Sequence, residues 1–266
     1  MAELWRGTTA LITGASRGIG EAFADELSAR GSHLVLVARS GAELEQVAAR
    51  ARTRGVRADP IVADLSLPAA PAQIAQRVAD LGLTVDLLVN NAGVGVHGHF
   101  VSDPPEAHLK TIDVNVRAAT ELAARCLPGM VSRRRGGIIN VASTAAFQGL
   151  VWLPVYSGTK AYLLTWSEAV WASLRGTGVR CCCLLPGPVD TAFFDRNDLT
   201  ARPPKFLMQS PAVVARAGLR GYAADRSMIH SSWLFGLVAT SVRLVPRSVA
   251  ARAGQIYARR KQGQPA

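Results

Sequence analysis

At 266 residues and 28.2 kDa, with 49% hydrophobic and 18% charged residues, the chain is long enough to bury a sizeable core and too apolar to stay disordered. It holds no internal repeat and no low-complexity tract, which excludes solenoids and linker-like chains. The net charge of +11 is unevenly placed: no acidic residue follows Asp225, while Arg226, Arg243, Arg247, Arg252, Arg259, Arg260 and Lys261 do. Such a tail suits plain solvation, an anionic membrane surface or nucleic acid. The first residues lack the basic start, apolar stretch and small-residue cleavage site of a signal peptide. Three of the four cysteines are consecutive at 181–183, and no C-x-x-C pair occurs. They are expected to pack as small apolar side chains, Cys181 and Cys183 on one face of a strand and Cys182 on the other, in a reducing cytoplasm.

Apolar runs predict strands at Thr8–Thr13, His33–Val37, Arg57–Val62, Val85–Val89, Gly137–Val141 and Val179–Leu184, with a short seventh at Ser227–Ser231. Amphipathic stretches predict helices near 18–30, 40–54, 68–81, 104–128 and 155–175. Strands rich in Val, Ile and Leu with little polar alternation imply burial on both faces, as in a parallel sheet. The expected fold is therefore α/β, a single-domain doubly wound parallel sheet of the Rossmann type. Residues 1–232 would form it, and 233–266 a helical, basic extension packed on or beside it. Ligands of such sheets sit beyond the carboxyl ends of the strands, so the chemistry is sought there.

After the first strand comes Thr13-Gly14-Ala15-Ser16-Arg17-Gly18-Ile19-Gly20, opening a helix. Glycines there let backbone N–H groups approach a pyrophosphate, and the helix N-terminus adds partial positive charge. The second strand ends in Ala38-Arg39, without the acid that would accept from a ribose 2′-hydroxyl. Arg39, with Arg17 in the turn, suits a 2′-phosphate instead, which favours NADP over NAD. Further on, Tyr156-Ser157-Gly158-Thr159-Lys160 places Tyr156 and Lys160 four residues apart on one helix face. An ammonium beside a phenol is expected to lower its pKa from about 10 by about 3 units, making it a usable acid or base.

The G-x-x-x-G-x-G turn, Asn90-Asn91-Ala92-Gly93, Asp113-Val114-Asn115-Val116, Asn140-Val141-Ala142-Ser143, the Y-x-x-x-K pair and Pro186-Gly187-Pro188-Val189-Asp190-Thr191 occur in one order over residues 13–191. In this the chain resembles the short-chain dehydrogenase/reductase family, in a bacterial branch with a long helical C-terminus. The resemblance implies Ser143 as the hydroxyl that polarises the substrate oxygen and Asn115 as the holder of a proton-relay water. It implies Tyr156 as the acid–base group and Lys160 as its support and a ribose ligand. The cofactor would meet Gly14, Ser16, Arg17, Gly18, Ile19, Gly20, Arg39, Asp64 (at the adenine), Asn91, Ala92, Gly93, Tyr156, Lys160, Pro186, Gly187 and Thr191.

The expected activity is reduction of a lipophilic ketone by NADPH, or the reverse oxidation by NADP+. The alternative is a catalytically silent NADP-binding regulator or membrane-associated scaffold. Expected partners are a small carbonyl or alcohol substrate, further copies of the chain as a dimer or tetramer, and an anionic membrane through the basic end; nucleic acid is not expected. Phe193, Phe194, Phe206, Leu207 and Met208 are expected to form a substrate lid. The apolar run 233–242 is too short to span a bilayer and is expected over the cleft, at a subunit contact or at a membrane interface. His97 and His99 show no third metal ligand and are read as loop residues near the substrate mouth.

Overall fold

The structure, a computed structural model, describes residues 4–98, 100–191, 204–246, 248–249 and 252. Its strands are β1 (Thr9–Thr13), β2 (His33–Ala38), β3 (Ala58–Val62), β4 (Leu87–Asn90), β5 (Gly136–Val141), β6 (Val179–Leu185) and β7 (Met228–His230). They form one parallel sheet in the order β3-β2-β1-β4-β5-β6-β7. The helices are α1 (Gly18–Ser28), α2 (Gly41–Arg52), α3 (Ala70–Asp80), α4 (Pro105–Ile112), α5 (Ala118–Ser132), α6 (Pro154–Ser173), α7 (Pro211–Ala223) and α8 (Trp233–Ser241). Each predicted strand is present, with ends within two residues of the expected ones. Pro60 is tolerated in β3 because that strand lies at the sheet edge.

Side chains alternate across the strands and build a core on each face. Ala10, Ile12, Leu34, Leu36 and Cys182 point to one side, where Phe23 and Leu27 of α1, Leu44 and Val47 of α2, and Val214 and Leu219 of α7 cover them. Leu11, Val35, Val37, Ile138 and Cys181 point to the other, under Ile74 of α3 and Leu122 and Met130 of α5. Leu163 and Leu164 of α6 close the same side over Cys183 and Leu185. The three adjacent cysteines are thus buried and free, divided between the two faces as the strand period requires.

The single helix expected near 104–128 runs on to Ser132 and is not regular. Asp113–Arg117, between α4 and α5, is a π turn in which the Ala118 N–H reaches the Asp113 carbonyl. One residue too many for an α turn is accommodated there, and such turns gather at functional sites. The chain order reverses between β1 and β4, so the loops after these two strands part and open a crevice.

Candidate active site

A cleft of about 1170 Å³ lies along the carboxyl ends of the strands, from the turn after β1 to the loop after β6. At its floor Gly14 has φ +64°, and a Cβ there would stand 2.9 Å from the Ala92 Cα. Asn91 clamps this turn: its Nδ2 donates to the carbonyls of Thr13 (2.9 Å) and Gly14 (3.2 Å). The Thr13 hydroxyl in turn accepts from the backbone N–H of Asn91 and Ala92, both at 3.0 Å. The first turn of α1 has no side-chain cap, leaving its N–H groups open to an anion.

The wall at the end of β2 carries Arg17, Arg39 and Ser40, with Asp64 after β3. Arg39 is exposed. The Arg17 guanidinium is held by both Glu43 carboxylate oxygens, while its Nε is buried without a partner. Burial works against ionisation of Asp64, but hydrogen bonds from the Ser66 N–H (3.0 Å) and hydroxyl (2.8 Å), with the Arg39 and Lys110 charges, hold its carboxyl below the ordinary range. A backbone cradle that a Cβ would fill and an uncapped helix start together fit a phosphate-bearing dinucleotide.

At the other end, Ser143 follows β5 and caps a short 3₁₀ turn, Thr144–Phe147, accepting from the Ala145 N–H at 3.1 Å. Tyr156 and Lys160 sit one turn apart on α6, with Nζ 5.5 Å from the phenol ring centre. Nζ donates to the Val141 carbonyl at 2.8 Å, and Lys160 is 3% exposed. A Cβ on Gly93 would lie 3.3 Å from Nζ, so glycine there leaves room for the ammonium. Asn115, fully buried in the π turn, donates to the Val94 carbonyl (2.9 Å) and Thr159 hydroxyl (3.0 Å) and accepts from the Val94 N–H (2.9 Å).

Comparison with known proteins assigns this arrangement. The family model for short chain dehydrogenases matches residues 8–201. The chain is a short-chain dehydrogenase. It is 33% identical over 241 residues to an uncharacterised oxidoreductase of Myxococcus xanthus, spanning 90% of this chain and 92% of the relative. A ketoacyl reductase, HetN, of a Nostoc species is 33% identical, over 79% of this chain and 74% of the relative. Among solved structures, a Sphingobium yanoikuyae short-chain dehydrogenase in complex with NADPH superposes with a TM-score of 0.79 at 30% identity, over 90% and 96% of the two chains.

The dehydrogenase brings almost every expected site residue onto the cleft wall; Gly20 and Asn115 stand behind it. Gly20 packs beneath the turn, where a Cβ would be 2.2 Å from the Gly14 carbonyl oxygen, so its requirement is for close packing and not for cofactor contact. Gly20→Ala is expected to cost about 1–3 kcal/mol or more by overpacking. Thermal unfolding measures it, and an unchanged midpoint would contradict the packing role.

Three expectations are corrected. The Tyr156 pKa is not lowered: burial pushes the phenol up to about 12, against a hydrogen bond with Ser143 that favours ionisation. The ammonium serves the Val141 carbonyl instead, and burial brings it down to about 8, slightly opposed by Cys183. Secondly, Phe206, Leu207 and Met208 are not on the cleft wall, and Phe206 is 84% exposed. Gln209 ties their segment to the strand ends by bonds between its main chain and Pro188 and Asp190, and from its amide to the Ser231 carbonyl. Phe193 and Phe194 lie outside the described residues. Thirdly, Arg17 does not stand ready for a phosphate beside Arg39, because Glu43 holds it.

On the substrate side, α8 provides much of the wall, through Phe235, Val238 and Ala239, with Val242 just beyond. Phe235 stacks so close that a Cβ on Gly187 would meet its ring at 2.6 Å. Glu43 and Thr159 carried no sequence signal. His97 lies 6.0 Å, ring to ring, from Trp152, and His99 is outside the described residues, as are Arg247, Arg259, Arg260 and Lys261. Among the described residues no helix is long and apolar enough to cross a membrane.

Proposed function

We propose that the dehydrogenase is an NADPH-dependent reductase of lipophilic ketones. The observation that carries this reading is the convergence of Ser143, Tyr156 and Lys160 at one end of a cleft whose other end carries Arg39, and no acid, at the end of β2. Bound NADPH supplies a hydride to the carbonyl carbon. Tyr156 donates a proton to the carbonyl oxygen, and the Ser143 hydroxyl stabilises the charge developing there. Lys160 places a positive charge behind the phenol as its proton leaves and binds the nicotinamide ribose. Asn115 holds the π turn against Val94 and Thr159 and so positions the proton path behind Lys160. Arg39 would hold the 2′-phosphate, and Asp64 would meet the adenine.

A lipophilic substrate is supported by the apolar wall of Val94, Phe147, Leu150, Leu153, Phe235 and Val242, and by the likeness to a ketoacyl reductase. Dimeric or tetrameric assembly in the cytoplasm, with the basic end at a membrane surface, belongs to the same reading. The test is NADPH consumption over a panel of long-chain and cyclic ketones, with NADPH binding measured alongside. Binding without consumption of NADPH by any ketone would instead support a silent binder.

The Lys160 pKa gives the reading a pH dependence. Its value of about 8 leaves the ammonium charged below that pH and neutral above. For reduction, kcat/KM is therefore expected to fall as pH rises through about 8, since this ratio reports the free enzyme. The sign for stability is opposite: a depressed lysine pKa penalises the fold most below about 8, and the penalty lifts between about 8 and the ordinary 10.5. An activity profile flat from pH 7 to about 9.5 would contradict the role given to the ammonium.

A further inference from the structure

We propose that α8 docks by its outer face on an anionic lipid bilayer and holds the mouth of the cleft against the lipid. The helix is apolar all round, but only one side is covered. Ala239 and Gly236 face inwards, and the Phe235 ring lies on Gly187. Outwards stand Trp233 (80% exposed) and Leu237 (63%), four residues apart on one side, followed by Leu244 (88%). A tryptophan among leucines matches the boundary between headgroups and acyl chains, where one end of the indole stays wet.

Charge selects the occupant. From Arg243 onwards, directly after α8, the sequence holds six basic residues and no acidic one. Each basic residue near an anionic surface strengthens attachment about fivefold. A second copy meeting the same face about a two-fold axis would bring two such cationic segments together, with no acid in either to pair them. Nucleic acid would engage the charges and leave the leucines and tryptophan in water. A bilayer of anionic lipid satisfies both features at once. Docking rests on the membrane contact in the proposed function and deepens it, but its test is separate from that of the reductase activity, because lipid binding is measured without turnover. Where both hold, a lipophilic carbonyl compound enters from the bilayer past Val238, which is exposed and also lines the cleft.

The experiment co-sediments the full chain with vesicles of mixed phosphatidylglycerol and phosphatidylcholine at low salt, and with phosphatidylcholine alone. The wild type is expected to pellet with the anionic vesicles and not with the neutral ones, and brominated lipid is expected to quench its tryptophan emission. Trp233→Ser with Leu237→Ser, at two exposed positions, is expected to weaken binding at least about tenfold with an unchanged thermal midpoint. A wild type that stays in the supernatant, or emission untouched by brominated lipid, would overturn the proposal. So would a double variant that pellets like the wild type. Sedimentation velocity in which the double substitution converts a larger species to a smaller one would assign the face to a second copy instead.

Discussion

Tyr156→Phe is expected to lower kcat about 10²–10⁴-fold, the usual contribution of a positioned proton donor. The substitution keeps the ring, which packs beside Gly95, and removes only the hydroxyl that bonds with Ser143. Ser143 retains its own bond from the Ala145 N–H, so the 3₁₀ turn after β5 is expected to stay in place. NADPH affinity should therefore change by less than about threefold, well below 1 kcal/mol. A phenol held up to about 12 keeps its proton throughout the neutral range and is the donor that reduction requires. Oxidation of the alcohol needs the phenolate and should become faster as pH rises. Undiminished turnover in the phenylalanine variant would remove Tyr156 from the mechanism.

Arg39→Asp is expected to raise KM for NADPH about 10–100-fold and to leave NADH within about threefold. A hydrogen bond to a charged group is worth about 1.5–3 kcal/mol, which is that range as a ratio. Arg39 carries the cost almost alone, because Arg17 is already neutralised by Glu43 on α2. The introduced carboxylate would also repel a 2′-phosphate and can accept from a ribose 2′-hydroxyl. Steady-state kinetics with both cofactors measures the change. Equal loss with NADPH and NADH would mean that Arg39 supports the loop and does not read the phosphate.

Much of the fold was legible because buried parallel strands write themselves as uninterrupted Val, Ile and Leu runs, and glycine marks the turn where side chains do not fit. Gly14 and Ser143 lie just beyond strand ends, where such a sheet binds its ligands, and Tyr156 and Lys160 stand out by their spacing on one helix face. Other features leave no such trace. The π turn at Asp113–Arg117 displaces the helical period by one residue, too little to break an amphipathic pattern. Glu43 meets Arg17 only once α2 has packed beside the glycine turn, 26 residues away in sequence. The Tyr156–Lys160 spacing was read as a direct electrostatic pair, but burial and the Val141 carbonyl decide where the ammonium points. For α8 the sequence offered cleft, subunit or membrane, and the structure puts its inner side on the cleft.

The most direct measurement follows the hydrogen itself. NADPH carrying deuterium at both C4 positions is incubated with the protein and a long-chain ketone, and the product alcohol is analysed by mass spectrometry. One deuterium on the carbinol carbon, formed about 10²–10⁴-fold more slowly with Tyr156→Phe, is the predicted result. NADPH consumed without deuterium reaching the carbinol carbon would contradict reduction of the carbonyl at this site.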